Sequence, residues 1–256
     1  MLKAVLFDMD DTLLDWSGFN SDWTTLESRL LGGVLDFIRA EGHPINDVEA
    51  YATEFHNRTM TAWADSRTSM RAPNVGSVLI EAAVALGVPP GVLDYSRCLD
   101  AYAWDAVPGT TVFPDVPALI ETLQAHNVRV GIVTNAYQPM RLRDTELRTH
   151  DLLHLFPECR ISAADVGYLK PHPTIFQTAL NCLNIKPTEA VFIGDNPEAD
   201  IAGAQSVGMR AVLRGNAHQQ PISNYLIKAD AAIKSFAELP PLLDQWFPAW
   251  RQPAAT

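Results

Sequence analysis

The chain has 256 residues, of which 47% are hydrophobic and 19% charged, and its formal net charge is −11. This ordinary globular composition excludes disordered and fibrous proteins, and the length fits one or two domains of about 150 residues each. Because so negative a chain repels a phosphate backbone and anionic lipids, we expect neither a nucleic-acid partner nor a membrane partner. An anionic substrate would therefore need a local source of positive charge.

The cysteines and the longest apolar runs indicate where the protein works. Three cysteines are scattered along the chain without zinc-ligand spacing, so we expect reduced thiols and neither disulfides nor structural zinc. The N-terminal apolar run ends at Phe7 and acidic residues follow, which argues against a signal peptide. No run approaches the ~20 apolar residues that span a bilayer. We predict a cytoplasmic protein.

Short runs rich in Val, Ile and Phe alternate with helical patterns over most of the chain. Each apolar run meets a turn or a polar cluster at its C-terminal end, as buried strands do. The predicted strands are Ala4–Phe7, 128–133, 190–193 and 211–213, with a weaker one at 229–233. Helices are predicted at 117–126, 173–183 and 200–207. This alternation predicts an α/β fold, a Rossmann-like, doubly wound parallel sheet covered on both faces.

Residues 15–107, here called the helical insert, do not fit the alternation. They carry helical patterns at 23–40, 47–63, 75–86 and 92–104, hold four of the six tryptophans and contain no lysine. We therefore predict an all-helical domain inserted into a core made of residues 1–14 and 108–256.

Polar side chains follow the predicted strands where each strand ends. In open α/β sheets, ligands bind at this carboxyl edge. The first strand is followed by Asp8 and Asp10, the second by Thr134 and Asn135, a later loop carries Lys170, and the next strand is followed by Asp195 and Asp200. One acidic residue after a strand is often only a helix cap, but the ordered set indicates a single functional site.

This cluster of acids requires a cation. Two carboxylates about 4 Å apart repel by roughly 4 kcal/mol at an effective dielectric constant near 20. Oxygen ligands with few protein carboxylates suit Mg²⁺, which shares a substrate phosphate. Lys170 supplies a second positive charge, and the Thr134 hydroxyl and the Asn135 backbone N–H can bind phosphate oxygens.

The four ordered motifs resemble those of the haloacid dehalogenase-like hydrolase superfamily, and the helical insert is similar to its C1-type cap. The motifs are Asp8-x-Asp10-x-Thr12, Thr134, Lys170 and Gly194-Asp195-x-x-x-x-Asp200. Two residues depart from the commonest pattern. Asp11 stands where many members have Gly, and Ala199 precedes Asp200 where Asn or Asp is common.

The resemblance implies a Mg²⁺-dependent phosphomonoester hydrolase acting on a small phosphorylated metabolite. Asp8 would be the nucleophile that forms an aspartyl-phosphate, and Asp10 the general acid and base. The Asp8 carboxylate, the Asp10 carbonyl and Asp195 would bind Mg²⁺, and Asp200 would do so directly or through water. The phosphoryl group would be bound by Thr134, Asn135 and Lys170.

Alternative functions remain open at this point. A phosphomutase would share all four motifs, and a non-catalytic binding protein could use the same fold. A haloacid dehalogenase is disfavoured because those relatives lack an acid at the position matching Asp10. A phosphonatase would need a lysine in the helical insert, which has none. The sequence leaves the substrate open, and both monomer and homodimer are compatible with it.

Overall fold

The computed structural model describes residues 1–20, 23–215 and 227–252. The strands in this part of the chain are β1 (Ala4–Phe7), β2 (Leu14–Asp15), β3 (Thr111–Val112), β4 (Arg129–Thr134), β5 (Cys159–Ser162), β6 (Ala190–Gly194), β7 (Arg210–Arg214) and β8 (Ala231–Ile233). The helices are α1 (Trp23–Ala40), α2 (Val48–Ser69), α3 (Val75–Ala85), α4 (Tyr95–Tyr102), α5 (Val116–Ala125), α6 (Met140–Thr149), α7 (Ala163–Val166), α8 (Pro173–Cys182), α9 (Gly203–Ser206) and α10 (Leu239–Trp246).

Six strands form one parallel sheet in the order β5-β4-β1-β6-β7-β8. Side chains alternate between its faces along each strand. On β1, Val5 and Phe7 join a cluster with α5, α6 and α10, whereas Ala4 and Leu6 join a second cluster with α8 and α9. Both faces are therefore covered by helices, and the predicted doubly wound α/β class is confirmed.

The central position of β1 explains where a site can form. β1 pairs with β4 on one side and β6 on the other, with Phe7 opposite both Ile132 and Ile193. Because all three strands run in the same direction, the residues after them meet at one edge of the sheet.

The helical insert has its own hydrophobic cluster. Residues of α1, α2, α3 and α4 pack together, and Tyr137 and Leu142 from the core enter the same cluster. The chain leaves and re-enters the core through two segments that touch at Gly18 and Gly109, where a Cβ added to Gly18 would lie 2.4 Å from the Gly109 carbonyl oxygen. The insert therefore rests on the core through apolar side chains and through one close backbone crossing.

Several predicted boundaries differ from the structure. Helix α2 runs to Ser69, six residues beyond the predicted end. The sequence did not predict this extension because residues 64–69 are mostly polar and carry little apolar periodicity. Residues after β6 form a π-helical turn, Pro197–Ala202, before α9. Strand β5 and helix α6 were not predicted. Parts of the predicted core, residues 216–226 and 253–256, lie outside the described residues.

Across residues 1–20, 23–215 and 227–252, no helix combines the length and the apolar character needed to cross a membrane.

Candidate active site

A buried ion pair occupies the carboxyl end of β1. The Asp8 N–H donates to the Ile193 carbonyl at 2.9 Å, which ties the first residue after β1 to β6. The Lys170 Nζ lies 2.6 Å from Asp8 Oδ1 and 2.7 Å from Asp200 Oδ1. Both the lysine and Asp200 are almost completely buried. The ammonium therefore joins the first and last predicted motifs of the site.

Asp195 and Asp200 complete the acidic group, with Asp195 immediately after β6. Ligand oxygens of Asp8, Asp195 and Asp200 all lie within 4.8 Å of one another. Gly194 makes this approach possible, because a Cβ at that position would lie 2.3 Å from the Asp200 carboxylate carbon. Asp200 is held by the Asn196 N–H, which donates to its Oδ2 at 3.0 Å.

The electrostatics show a surplus of negative charge. Burial raises the pKa of Asp8 well above its ordinary value, Lys170 opposes this shift, and the neighbouring carboxylates of Asp200, Asp195 and Asp10 add to it. Burial, with Asp200 and Asp11 nearby, raises the pKa of Asp195 to about 7. Burial works against the Lys170 charge, but the two contacting carboxylates raise the pKa of its ammonium overall. One lysine therefore does not neutralise this group of acids.

The residues present fit a divalent cation. Three buried or half-buried carboxylates converge, and their oxygen-only donor set matches the preference of Mg²⁺. Burial raises the pKa values of Asp8 and Asp195 most, and the neighbouring carboxylates raise them further. A cation among these carboxylates would stabilise their ionised forms against both effects.

Thr134 and Asn135 lie at the end of β4, beside the acids. Thr134 is 1% exposed. The Asn135 side chain binds the backbone of Lys170 twice: its Oδ1 accepts from the Lys170 N–H at 2.7 Å, and its Nδ2 donates to the Lys170 carbonyl at 3.0 Å. The motif after β4 thus fixes the loop that presents the lysine.

The Asp10 carboxylate is held by two donors that are not part of this acidic group. Its Oδ1 accepts from the Trp16 indole N–H at 2.9 Å and from Arg143 Nη2 at 2.5 Å. Asp11, the departure from the commonest pattern, adopts a left-handed conformation with φ of 57°, a region that Asp tolerates better than most residues. The turn therefore forms with Asp in place of Gly.

Two charged residues at this edge were missed by the sequence analysis. Arg143 and Glu146 lie one turn apart on α6, and their side chains are 3% and 0% exposed. An Arg and a Glu three positions apart are typical of an exposed helix face. No signal in the residue pattern could have shown that both side chains are buried.

Comparisons with known proteins show the family to which the chain is related. The sequence model of the family described as haloacid dehalogenase-like hydrolase matches residues 2–208. A glyceraldehyde 3-phosphate phosphatase from Pyrococcus furiosus is 28% identical over 249 residues, covering 95% of this chain and 92% of its own.

Two solved structures share the fold over nearly the whole chain. A haloacid dehalogenase-type phosphatase from Thermococcus onnurineus is 26% identical with a TM-score of 0.59, covering 94% of this chain and 98% of its own. A 2-haloacid dehalogenase from Pseudomonas syringae pv. tomato is 25% identical with a TM-score of 0.61, covering 96% and 100%.

The chain belongs to the haloacid dehalogenase-like hydrolase family. The superfamily predicted from the four motifs is confirmed. The predicted enzyme class, a hydrolase of the phosphatase type, is confirmed as well.

Proposed function

We propose that this protein is a Mg²⁺-dependent phosphomonoester hydrolase that forms an aspartyl-phosphate on Asp8. One observation carries the proposal. The Lys170 ammonium lies within 2.7 Å of both Asp8 and Asp200, and Asp195 stands beside them at the carboxyl edge of the sheet. A buried nucleophile with adjacent positive charge, beside acids that require a cation, is suited to phosphoryl transfer.

The first step is attack by a carboxylate oxygen of Asp8 on phosphorus. The new oxygen–phosphorus bond forms as the bond to the leaving oxygen breaks, and Asp10 gives that oxygen its proton. Lys170 is fixed against Asp8 and offsets the charge on the phosphoryl oxygens. In the second step Asp10 takes a proton from water, the water oxygen attacks phosphorus, and Asp8 is released with inorganic phosphate.

Thr134 and Asn135 would orient the phosphoryl group. The buried Thr134 hydroxyl and the Asn135 backbone N–H lie at the end of the strand next to β1, where they can donate to phosphoryl oxygens. The Asn135 side chain has a separate task, since both of its polar atoms bind the Lys170 backbone.

Asp8, Asp195 and Asp200, with the backbone carbonyl of Asp10, would hold Mg²⁺. When bound, the ion supplies a Lewis acid that polarises a phosphoryl oxygen and offsets the carboxylate charge. The carboxyl at Asp10 favours phosphate ester hydrolysis over dehalogenation, because a halide leaving group needs no proton.

The substrate we propose is a small phosphorylated metabolite in the cytoplasm. The relative from Pyrococcus furiosus is named for glyceraldehyde 3-phosphate, and that compound belongs in the first panel of substrates. We also propose that residues 15–107 act as the cap that selects the leaving group, since the insert lies on the core through Tyr137 and Leu142.

The test is hydrolysis of p-nitrophenyl phosphate, with Mg²⁺ and with EDTA. The wild-type protein should release phosphate only with Mg²⁺, and Asp8→Asn should be inactive because the amide is not a nucleophile. Asp36→Asn is the matched control, since Asp36 is an exposed helix residue paired with Arg39, and it should retain full activity.

Three outcomes would contradict the proposal. Turnover in EDTA would show that the reaction needs no metal ion, and turnover by Asp8→Asn would show that Asp8 is not the nucleophile. Release of chloride from 2-chloropropionate without phosphatase activity would instead identify a dehalogenase.

A further inference from the structure

We infer that Arg143 is a positioning residue for the general acid Asp10, and that Glu146 on the same helix and Trp104 of the helical insert hold it in place. This inference rests on the proposed function. It starts from contacts that join Asp10 of the first motif to Arg143, Glu146 and Trp104, three residues that none of the four motifs contains.

The first contact is between Arg143 and Asp10. Arg143 Nη2 lies 2.5 Å from Asp10 Oδ1, and the indole N–H of Trp16 donates to the same oxygen at 2.9 Å. Two donors from different segments hydrogen-bond to one carboxylate oxygen, and together they fix the orientation of the Asp10 carboxyl group. The second carboxylate oxygen is then the one presented for proton exchange with a leaving group.

The second contact fixes the arginine itself. The Arg143 side chain is 3% exposed, and its Nε lies 3.2 Å from Oε2 of the fully buried Glu146. A buried guanidinium is costly unless carboxylates accompany it, and here it stands between two. Burial works against its charge, but Asp10 and Glu146 raise the pKa of the guanidinium. Arg143 therefore remains a fixed cation.

The third contact extends to the helical insert. The Trp104 indole N–H donates to Glu146 Oε2 at 3.0 Å, and the Trp104 ring stacks on Tyr102 of α4 with centroids 6.3 Å apart. Trp104 lies on the segment that returns to the core, whereas Trp16 lies on the segment that leaves it. One connection thus contacts the Asp10 carboxyl group directly through Trp16, and the other reaches it through Trp104, Glu146 and Arg143. The direction of the carboxyl group therefore depends on how the insert is seated.

The experiment compares two phosphate esters that differ in their need for a proton. The p-nitrophenolate ion leaves without protonation, whereas phenolate gains from a general acid. In Arg143→Met, kcat/KM should fall ~10-fold more on phenyl phosphate than on p-nitrophenyl phosphate, because a misdirected acid loses part of its usual contribution to the step in which the leaving oxygen departs. Arg143→Lys should recover part of this loss.

Further variants separate positioning from a merely structural role. Trp104→Phe keeps an aromatic ring but removes the N–H donor, and it should show the same selective loss in smaller degree. This variant preserves the test if Arg143→Met fails to fold. In an Asp10→Asn background, Arg143→Met should cause no additional leaving-group dependence. Arg148→Met is the control, since Arg148 is exposed on the same helix, and its ratio of activities on the two phosphate esters should equal that of wild type.

Equal losses on the two esters in both Arg143→Met and Trp104→Phe would overturn the inference while leaving the proposed function intact. A selective loss that persists in the Asp10→Asn background would overturn it too. Wild-type protein that hydrolyses neither ester with Mg²⁺ would instead overturn the proposed function, and this inference with it.

Discussion

The side-chain amide of Asn135 binds the backbone of Lys170 from both sides, accepting from its N–H at 2.7 Å and donating to its carbonyl at 3.0 Å. These residues are 35 positions apart in the chain. The end of β4 thereby sets the position of the ammonium that contacts Asp8 and Asp200. The surroundings of the proposed nucleophile Asp8 therefore depend on Asn135, which acts through the backbone of Lys170.

Replacement of Asn135 should therefore impair catalysis more than stability. In Asn135→Ala, two hydrogen bonds worth about 1 kcal/mol each are lost, but misplacement of Lys170 should lower kcat by ~10- to 100-fold. Steady-state kinetics and thermal denaturation measure the two effects. Asn57→Ala, on the helical insert, is the control and should change neither, and an Asn135→Ala enzyme with wild-type kcat would show that the lysine needs no such anchor.

The carboxylates after β1 and β6 should make the metal-free protein less stable as pH rises. Burial raises the pKa of Asp195 to about 7 and that of Asp8 well above its ordinary value. Between the unfolded value near pH 4 and about pH 7, the folded state binds more protons than the unfolded state. Its free energy of unfolding should therefore fall as pH rises through this window.

Denaturant titrations in EDTA and in Mg²⁺ would measure this slope. Mg²⁺ binds the ionised carboxylates, so stability should be higher at the upper end of the window when the ion is present. Asp195→Asn should flatten the profile in EDTA because it removes one titrating group. A profile in EDTA that rises with pH across the window, and is unchanged in Asp195→Asn, would contradict this account.

The residue pattern was sufficient to locate the acids because each follows a run of buried apolar residues. A polar residue directly after such a run is placed at the carboxyl edge whatever the details of packing, and Asp8 and Asp195 are both there.

The elements of the fold that could not be predicted are those whose packed faces include polar or charged side chains. Strand β5 alternates polar and apolar residues at the edge of the sheet, and its Arg160 side chain pairs with Asp144. Helix α6 has a low apolar content, and two of its buried residues, Arg143 and Glu146, are charged. Periodicity identifies a buried face only through apolar side chains, so a face buried by ion pairing has no such signature.

The crossing of the two connections at Gly18 and Gly109 should be sensitive to any side chain. Gly109 has φ of 90°, and a Cβ there would lie 2.2 Å from the Gly18 carbonyl oxygen. Gly109→Ala should separate the segments, lower stability by ~1 to 3 kcal/mol and reduce kcat, because Trp16 and Trp104 both flank the crossing. Denaturation and kinetics measure both effects, with Gly42→Ala as the control. Gly42 also has a positive φ but open space around it, so it should show the backbone strain without the loss of kcat.

Gly194 should be equally intolerant, but through the metal site. A Cβ at Gly194 would lie 2.3 Å from both the carboxylate carbon and Oδ2 of Asp200, and Asp200 is 1% exposed with little room to move. Gly194→Ala should therefore displace the Asp200 carboxylate and weaken Mg²⁺ binding by ~10-fold or more, since ligand orientation controls affinity. Isothermal titration with Mg²⁺ measures the change directly, without reference to turnover. Gly32→Ala is the matched control, because a Cβ at Gly32 meets nothing within 4 Å in the middle of α1, and it should leave the affinity unchanged while stabilising the helix by ~1 kcal/mol. If Gly194→Ala bound Mg²⁺ as tightly as wild type, Asp200 would not be a ligand whose position the glycine protects.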